Sequence, residues 1–141
     1  MNFKILFLFI TIFCQAQSDD ILGVWLEEKK ESKIEVYKKG NSFFGKIIWL
    51  KEPLDEDGNI KLDKKNPNNL MRENPINGLV IMKDLKYKKK GEWSDGEIYD
   101  ARSGKTYSLE VYMTNQNKLD LRGYLGFTLF GKTTSWTRVK N

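Results

Sequence analysis

Between Gly23 and Val139 the chain alternates apolar and polar residues in short runs, and no stretch of a dozen residues sustains a helical period. Lys105 to Met113 shows the pattern most cleanly, with Tyr107, Leu109 and Val111 set against Ser108, Glu110 and Tyr112. Side chains of an extended strand point alternately to opposite faces, so such runs read as strands with one buried face. Strands are expected at residues 23–28, 33–38, 42–51, 78–82, 92–99, 105–113, 118–124 and 129–139, with turns at Gly40-Asn41, Ser94-Asp95-Gly96, 100–104 and 115–117. The run from Leu85 to Lys90 is either the outgoing arm of a hairpin or part of a turn. Eight or nine antiparallel strands in one domain make a small β-barrel or a strongly curved sandwich.

The two ends of the chain favour the barrel. Gly23 and Trp25 share one face of the first strand, and Lys132, Thr134, Trp136 and Arg138 share one face of the last. If these strands pair, both free edges vanish. The Arg138 guanidinium would then lie across the Trp25 indole and cap one end. The plainer alternative is a core Trp25 and an exposed terminal Arg138. In the strand at 42–51 the alternation puts Phe43, Ile47 and Trp49 on one face, flanking Gly45, and Phe44, Ile48 and Leu50 on the other.

Residues 1–16 have a different character. Lys4 follows a short start, Ile5 to Phe13 is apolar apart from Thr11, and Cys14-Gln15-Ala16 precedes Gln17. This is the layout of a secretory signal, with cleavage expected after Ala16 and a single domain over residues 17–141. Phe13 stands where a lipidated cysteine needs a small residue before it, so Cys14 is read as part of the discarded segment. The remaining 125 residues contain neither cysteine nor histidine. Disulfides, thiolate metal sites, His-based triads and the usual general base are thereby unavailable. With Lys4 removed, 23 basic residues face 19 acidic ones, a formal charge of +4. The lysines cluster at expected strand ends, as in Lys38-Lys39 and Lys88-Lys89-Lys90, where they keep a surface solvated and resist edge pairing. Their functional alternative is attraction to an anionic envelope surface. A nucleic-acid partner is not expected from a chain with no basic helix and no recognisable binding module.

The stretch from about residue 52 to 77 interrupts the strands. It holds all three prolines, Pro53, Pro67 and Pro75, and the turn sequence Asp55-Glu56-Asp57-Gly58-Asn59. Asn66-Pro67 resembles a helix start, so a short helix is expected over residues 67–73. So long a connection, poor in apolar residues, is expected to fold over a barrel mouth. Asp63, Asp95, Glu97 and Asp100 are candidates for a carboxylate pair, although acids in turns ordinarily serve backbone hydrogen bonding. Asp55, Asp57, Asn59 and Asp63 have a loop-like calcium spacing, but Gly58 and Asn66 spoil the positions that need a late glycine and a bidentate glutamate. No metal or cofactor is expected. The large rings Trp25, Trp49, Trp93, Trp136, Tyr99 and Tyr107 either fill the barrel or line a cavity for one small ligand.

These residues bring a family resemblance into view. Gly23-Val24-Trp25, Gly45-Lys46-Ile47-Ile48-Trp49-Leu50, Asp63-Lys64-Lys65-Asn66-Pro67, Gly96-Glu97-Ile98-Tyr99-Asp100, Ser103-Gly104-Lys105-Thr106-Tyr107, Arg122-Gly123-Tyr124-Leu125-Gly126 and Trp136-Thr137-Arg138-Val139 resemble the bacterial family catalogued as domain of unknown function 2147. The resemblance covers residues 22 to 140. It implies a small secreted or periplasmic protein without an assigned activity. Ala101 departs from the family pattern, which tends to carry proline there, and this loosens the expected turn. Gly23, Trp25 and Arg138 alone are similar to lipocalin-like barrels, which implies a ligand-holding fold and names no ligand.

The leading expectation is a non-catalytic binding module exported to the periplasm or medium of a Gram-negative bacterium. Its ligand would be a small apolar or amphiphilic molecule. Asp63, Asn66 and Arg72 would stand on a loop near the mouth, while Trp49, Trp93, Tyr99, Tyr107 and Trp136 would line the wall. The alternatives are an envelope interaction domain with a filled barrel and a carboxylate-dependent hydrolase of envelope glycans.

Overall fold

The computed structural model describes residues 17–126 and 131–141. The signal reading of residues 1–16, Cys14 included, and the Leu129 and Phe130 start of the last strand lie outside the described residues. Eight antiparallel strands form a closed barrel in simple sequence order: β1 (Gly23–Leu26), β2 (Ser32–Lys39), β3 (Ser42–Leu50), β4 (Val80–Lys89), β5 (Glu92–Asp100), β6 (Lys105–Asn115), β7 (Lys118–Tyr124) and β8 (Lys132–Arg138). Two short 3-10 turns, η1 (Asp19–Ile21) and η2 (Asn69–Met71), accompany them. Residues 85–89 belong to β4 and Lys90 to the turn after it, which makes eight strands among the described residues. The turn expected at Ser94-Asp95-Gly96 lies instead inside β5, where one extra residue faces β6 and Asp95 takes φ 61°. Asp84, with φ 56°, marks the matching irregularity between β4 and β3. Aspartate tolerates this left-handed region, and such bulges bend the strands into a barrel wall.

One end of the barrel is shut. β1 meets β8 through Trp25 opposite Arg138 and Leu26 opposite Thr137. The Arg138 guanidinium lies 4.2 Å from the centre of the Trp25 ring. Its nitrogens donate to the carbonyls of Leu22 at 2.7 Å, Asp20 at 2.6 Å and Gln116 at 2.7 Å. Gly23 makes room for this clasp: its φ is +129°, and a β-carbon there would come within 2.8 Å of Arg138 Nη1. Residues 17–22 cross the same end as a plug. The Trp25 indole donates to Ile21 O and the Trp93 indole to Ser18 O, with Ile21, Trp25 and Trp93 fully buried.

The core above this plug consists of inward-facing residues from every strand, among them Ile34, Val36, Phe43, Met82, Leu109, Val111, Leu119 and Leu121. The long connection between β3 and β4 packs against the outside of the wall and along the other end. It is pinned by isolated bridges, Leu54 with Ile60 and Leu62 with Pro75. The helix expected over 67–73 shrinks to η2, and its cap is Asn68, whose side chain accepts from Leu70 N, while Asn66 Oδ1 accepts from Asn68 N. The chain there is too short and too poor in apolar residues to bury a helical face.

Candidate functional site

Among the described residues the second end of the barrel is open, and a cavity of about 460 Å³ descends from it. Trp136, Leu121, Leu109, Ile34 and Ile47 make its floor, and Ile98, Tyr107 and Thr134 rise above them. β8 sets the depth scale. Its inward residues Trp136, Thr134 and Lys132 lie opposite Leu119, Leu121 and Gly123 of β7, so the wall passes from indole to hydroxyl to ammonium as it approaches water. Gly123 lets Tyr107 pack closely, since a β-carbon there would come within 3.2 Å of Tyr107 Cβ. A volume of this size is within the range of small-molecule sites, about 300–1,000 Å³.

The rim is built from the loops at this end. Glu27 stiffens the β1–β2 loop by accepting from the amides of Lys29 and Glu31. Glu31 in turn accepts from Arg102 Nη2 at 2.7 Å, tying that loop to the β5–β6 turn. Asp100 fixes the β5–β6 turn by itself: its carboxylate accepts from Arg102 N and Ser103 Oγ, and its carbonyl from Gly104 N. This answers the missing proline at Ala101, since the turn is held by hydrogen bonds instead of a fixed φ. From the long connection, Glu52, Lys61 and Ile76 complete the mouth.

The residues expected to form the site separate into four places. Tyr107 and Trp136 line the cavity and Tyr99 borders it. Asp63, Asn66 and Arg72 gather instead behind the wall. Asp63 is completely buried and accepts from Tyr99 Oη at 2.6 Å and Asn66 Nδ2 at 2.8 Å, while Arg72 Nε donates to Asn66 O. They anchor the connection to β5, and a smaller hollow of about 140 Å³ beside Asn66 and Tyr99 adjoins them. Trp93 belongs to the closed end. Trp49 is on the outer surface, with Lys33 Nζ 5.0 Å above its ring. The cause is a bulge: Ile34 pairs with Ile47 but Lys33 pairs with Trp49, so β3 gains one residue and its faces exchange. Leu50 takes the inward position that strict alternation assigns to Trp49.

The four candidate carboxylates do not converge. Asp100 alone of the four borders the cavity, Asp95 and Glu97 are exposed on the outer wall, and Asp63 is committed to Tyr99 and Asn66. Asp55 caps its own loop by accepting from the amides of Asp57 and Asn59, apart from Asp63.

A family model described as an uncharacterized protein conserved in bacteria, DUF2147, matches residues 23–138. The chain belongs to this family. The matched span begins at Gly23 and ends at Arg138, the two residues that meet at the barrel clasp, so the family unit coincides with the closed barrel. Among solved structures the chain is similar to protein HP1028 from Helicobacter pylori, which is described as belonging to the lipocalin family. The two are 27% identical, the match covers 86% of this chain and 84% of that one, and the TM-score is 0.73. No curated protein matches the sequence. The architecture is therefore a lipocalin-like barrel in a DUF2147 protein. Sequence reasoning passed over Leu109, Leu121 and Ile98 as site residues because it looked for aromatic rings; the inward alternation of β5, β6 and β7 was the signal that carried them.

Two consequences can be measured directly. Trp49→Ala removes an exposed ring and its cation–π contact, so a loss of about 1 kcal/mol or less is expected in urea denaturation, with ligand uptake by the cavity unchanged. The second concerns Tyr99. Burial raises its phenol above the ordinary value near 10, and the bond to Asp63 raises it further. The folded protein then holds a proton that the unfolded chain releases. The stabilisation is complete below about pH 10 and is lost as pH rises past it. Tyr99→Phe is expected to fall less steeply in stability between about pH 10 and 11.5 than the parent, by denaturation midpoints.

Proposed function

We propose that this protein is an exported, non-catalytic binding module that holds one small apolar or amphiphilic molecule in its barrel. The observation that carries this reading is the open cavity of about 460 Å³ with an apolar floor and a charged rim. Eight-stranded barrels either fill with side chains or hold one small ligand, and here the filled part ends at Trp136 and Leu121. Similarity to a protein of the lipocalin family supports the same reading. Export to the periplasm or beyond, with cleavage after Ala16, rests on the basic start and apolar run of residues 1–16. A second reading, an interaction domain, has its support in Leu54, Ile60 and Leu70, which are 50%, 60% and 86% exposed on the long connection.

Native mass spectrometry of the protein purified from its own cell envelope tests both parts. The expected result is a chain beginning at Gln17 that carries a discrete extra mass lost on denaturation. A chain that stays bare after exposure to envelope lipid extract would overturn the binding function, and an intact Met1 would overturn the cleavage.

A further inference from the structure

The acids and the bases at the mouth of the cavity are not equally engaged by the rest of the chain. Five acids and five bases border it: Glu27, Glu28, Glu31, Glu52 and Asp100 against Lys29, Lys51, Lys61, Arg102 and Lys132. Every acid already accepts a hydrogen bond or an ion pair from the chain. Glu27 and Asp100 take backbone amides, Glu28 takes the Thr134 hydroxyl at 3.3 Å, Glu31 takes Arg102, and Glu52 has Lys61 at 3.9 Å. Arg102 and Lys61 are thereby occupied. Among the described residues, no side-chain hydrogen bond or ion pair engages the ammonium groups of Lys29, Lys51 or Lys132.

Lys132 has a particular place among the three. It stands two residues above Thr134 and four above Trp136 on the inward face of β8, opposite Gly123, which has no side chain to screen it. A molecule whose apolar part reaches Trp136 would bring its outer end to Lys132. A cationic end would have to share carboxylates that each already hold a donor of the chain. An anionic end would meet three ammonium groups able to donate.

We infer that the cavity selects amphiphiles with an anionic head, such as a carboxylate or phosphate monoester on one apolar chain or ring system. Lys132 reads the head from the wall, with Lys29 and Lys51 reading it from the rim. This deepens the proposed binding function and rests on it. Charge pairs at a solvated mouth are individually weak and screened by salt, so their combined effect is a preference of about tenfold at low ionic strength.

The test is calorimetric titration of the purified protein with four probes that share a tail: dodecanoate, dodecyl phosphate, dodecanol and dodecyltrimethylammonium, all below their micelle concentrations. Dodecanoate and dodecyl phosphate are expected to bind about tenfold tighter than dodecanol, and dodecyltrimethylammonium no tighter than dodecanol. Near 0.5 M salt the gap should shrink to about threefold or less. Lys132→Gln should weaken the two anions several-fold and leave dodecanol unchanged, whereas Lys90→Gln, in the β4–β5 turn at the closed end, should alter none of the four. Equal affinity for dodecanoate and dodecanol would overturn head selection while leaving the cavity's binding function standing. So would an equal loss for both in Lys132→Gln. Failure of all four probes would overturn both readings together.

Discussion

Arg138→Ala is expected to lose about 3 kcal/mol of unfolding free energy, a large share of the roughly 5–15 kcal/mol that holds a domain of this size. Three carbonyls, of Leu22, Asp20 and Gln116, lose donors that carry a charge, and the Trp25 ring loses the cation on its face. Bonds to a charged donor contribute about 1.5–3 kcal/mol each, but Gln116 O lies at an exposed site and water replaces part of what is removed. The damage is concentrated because of where the residue sits. The β1–β8 seam is short, and Arg138 also ties down the plug of residues 17–22 that covers Trp25 and Trp93. Guanidinium denaturation gives the magnitude. Hydrogen exchange gives the location, with faster exchange expected at β1, β8 and the plug before any change in β5 or β6. Arg138→Lys keeps the charge but cannot reach three carbonyls at once, so it should recover less than half of the loss. A variant within about 0.5 kcal/mol of the parent would show that the clasp is incidental to closure.

This clasp was legible in the sequence because both partners sit at chain ends, where alternation alone places Gly23, Trp25, Trp136 and Arg138 on inward faces. The plug was not. Gln17 and Ser18 show no periodicity, and their contacts with Tyr87 and Trp93 depend on the barrel already being closed. Trp49 illustrates a different limit. Its face is decided by one extra residue in β3, and bulges follow from how two strands register against each other, which no single strand records. Asp63, Asn66 and Arg72 were placed on the right loop but on its wrong side. A buried acid needs donors, and Tyr99 on the outer face of β5 supplies one. The same economy explains why the floor of the cavity is mainly aliphatic: most of the indoles seal the closed end or face solvent, and only Trp136 remains at the floor.

Filling the cavity should separate stability from function. Thr134→Phe puts a ring at mid-depth, where Thr134 faces Leu121 across from open space and its hydroxyl makes only a solvated bond to Glu28 at 3.3 Å. The added side chain enters a void instead of a packed layer, so the usual penalty for overpacking, about 1–3 kcal/mol, should largely be absent. Gain of buried apolar area offsets the lost hydroxyl contact, and the expected change in stability is within about 1 kcal/mol of zero. Binding is another matter. The ring would stand between the Trp136 floor and the Lys132 rim, so an amphiphile could no longer reach the floor with its head still at the mouth. Uptake of dodecanoate is expected to fall by more than about tenfold, read by calorimetry, while the denaturation midpoint barely moves. Unchanged affinity in a folded Thr134→Phe protein would mean that the bound molecule sits outside the barrel, and attention would pass to the exposed Leu54, Ile60 and Leu70 on the long connection.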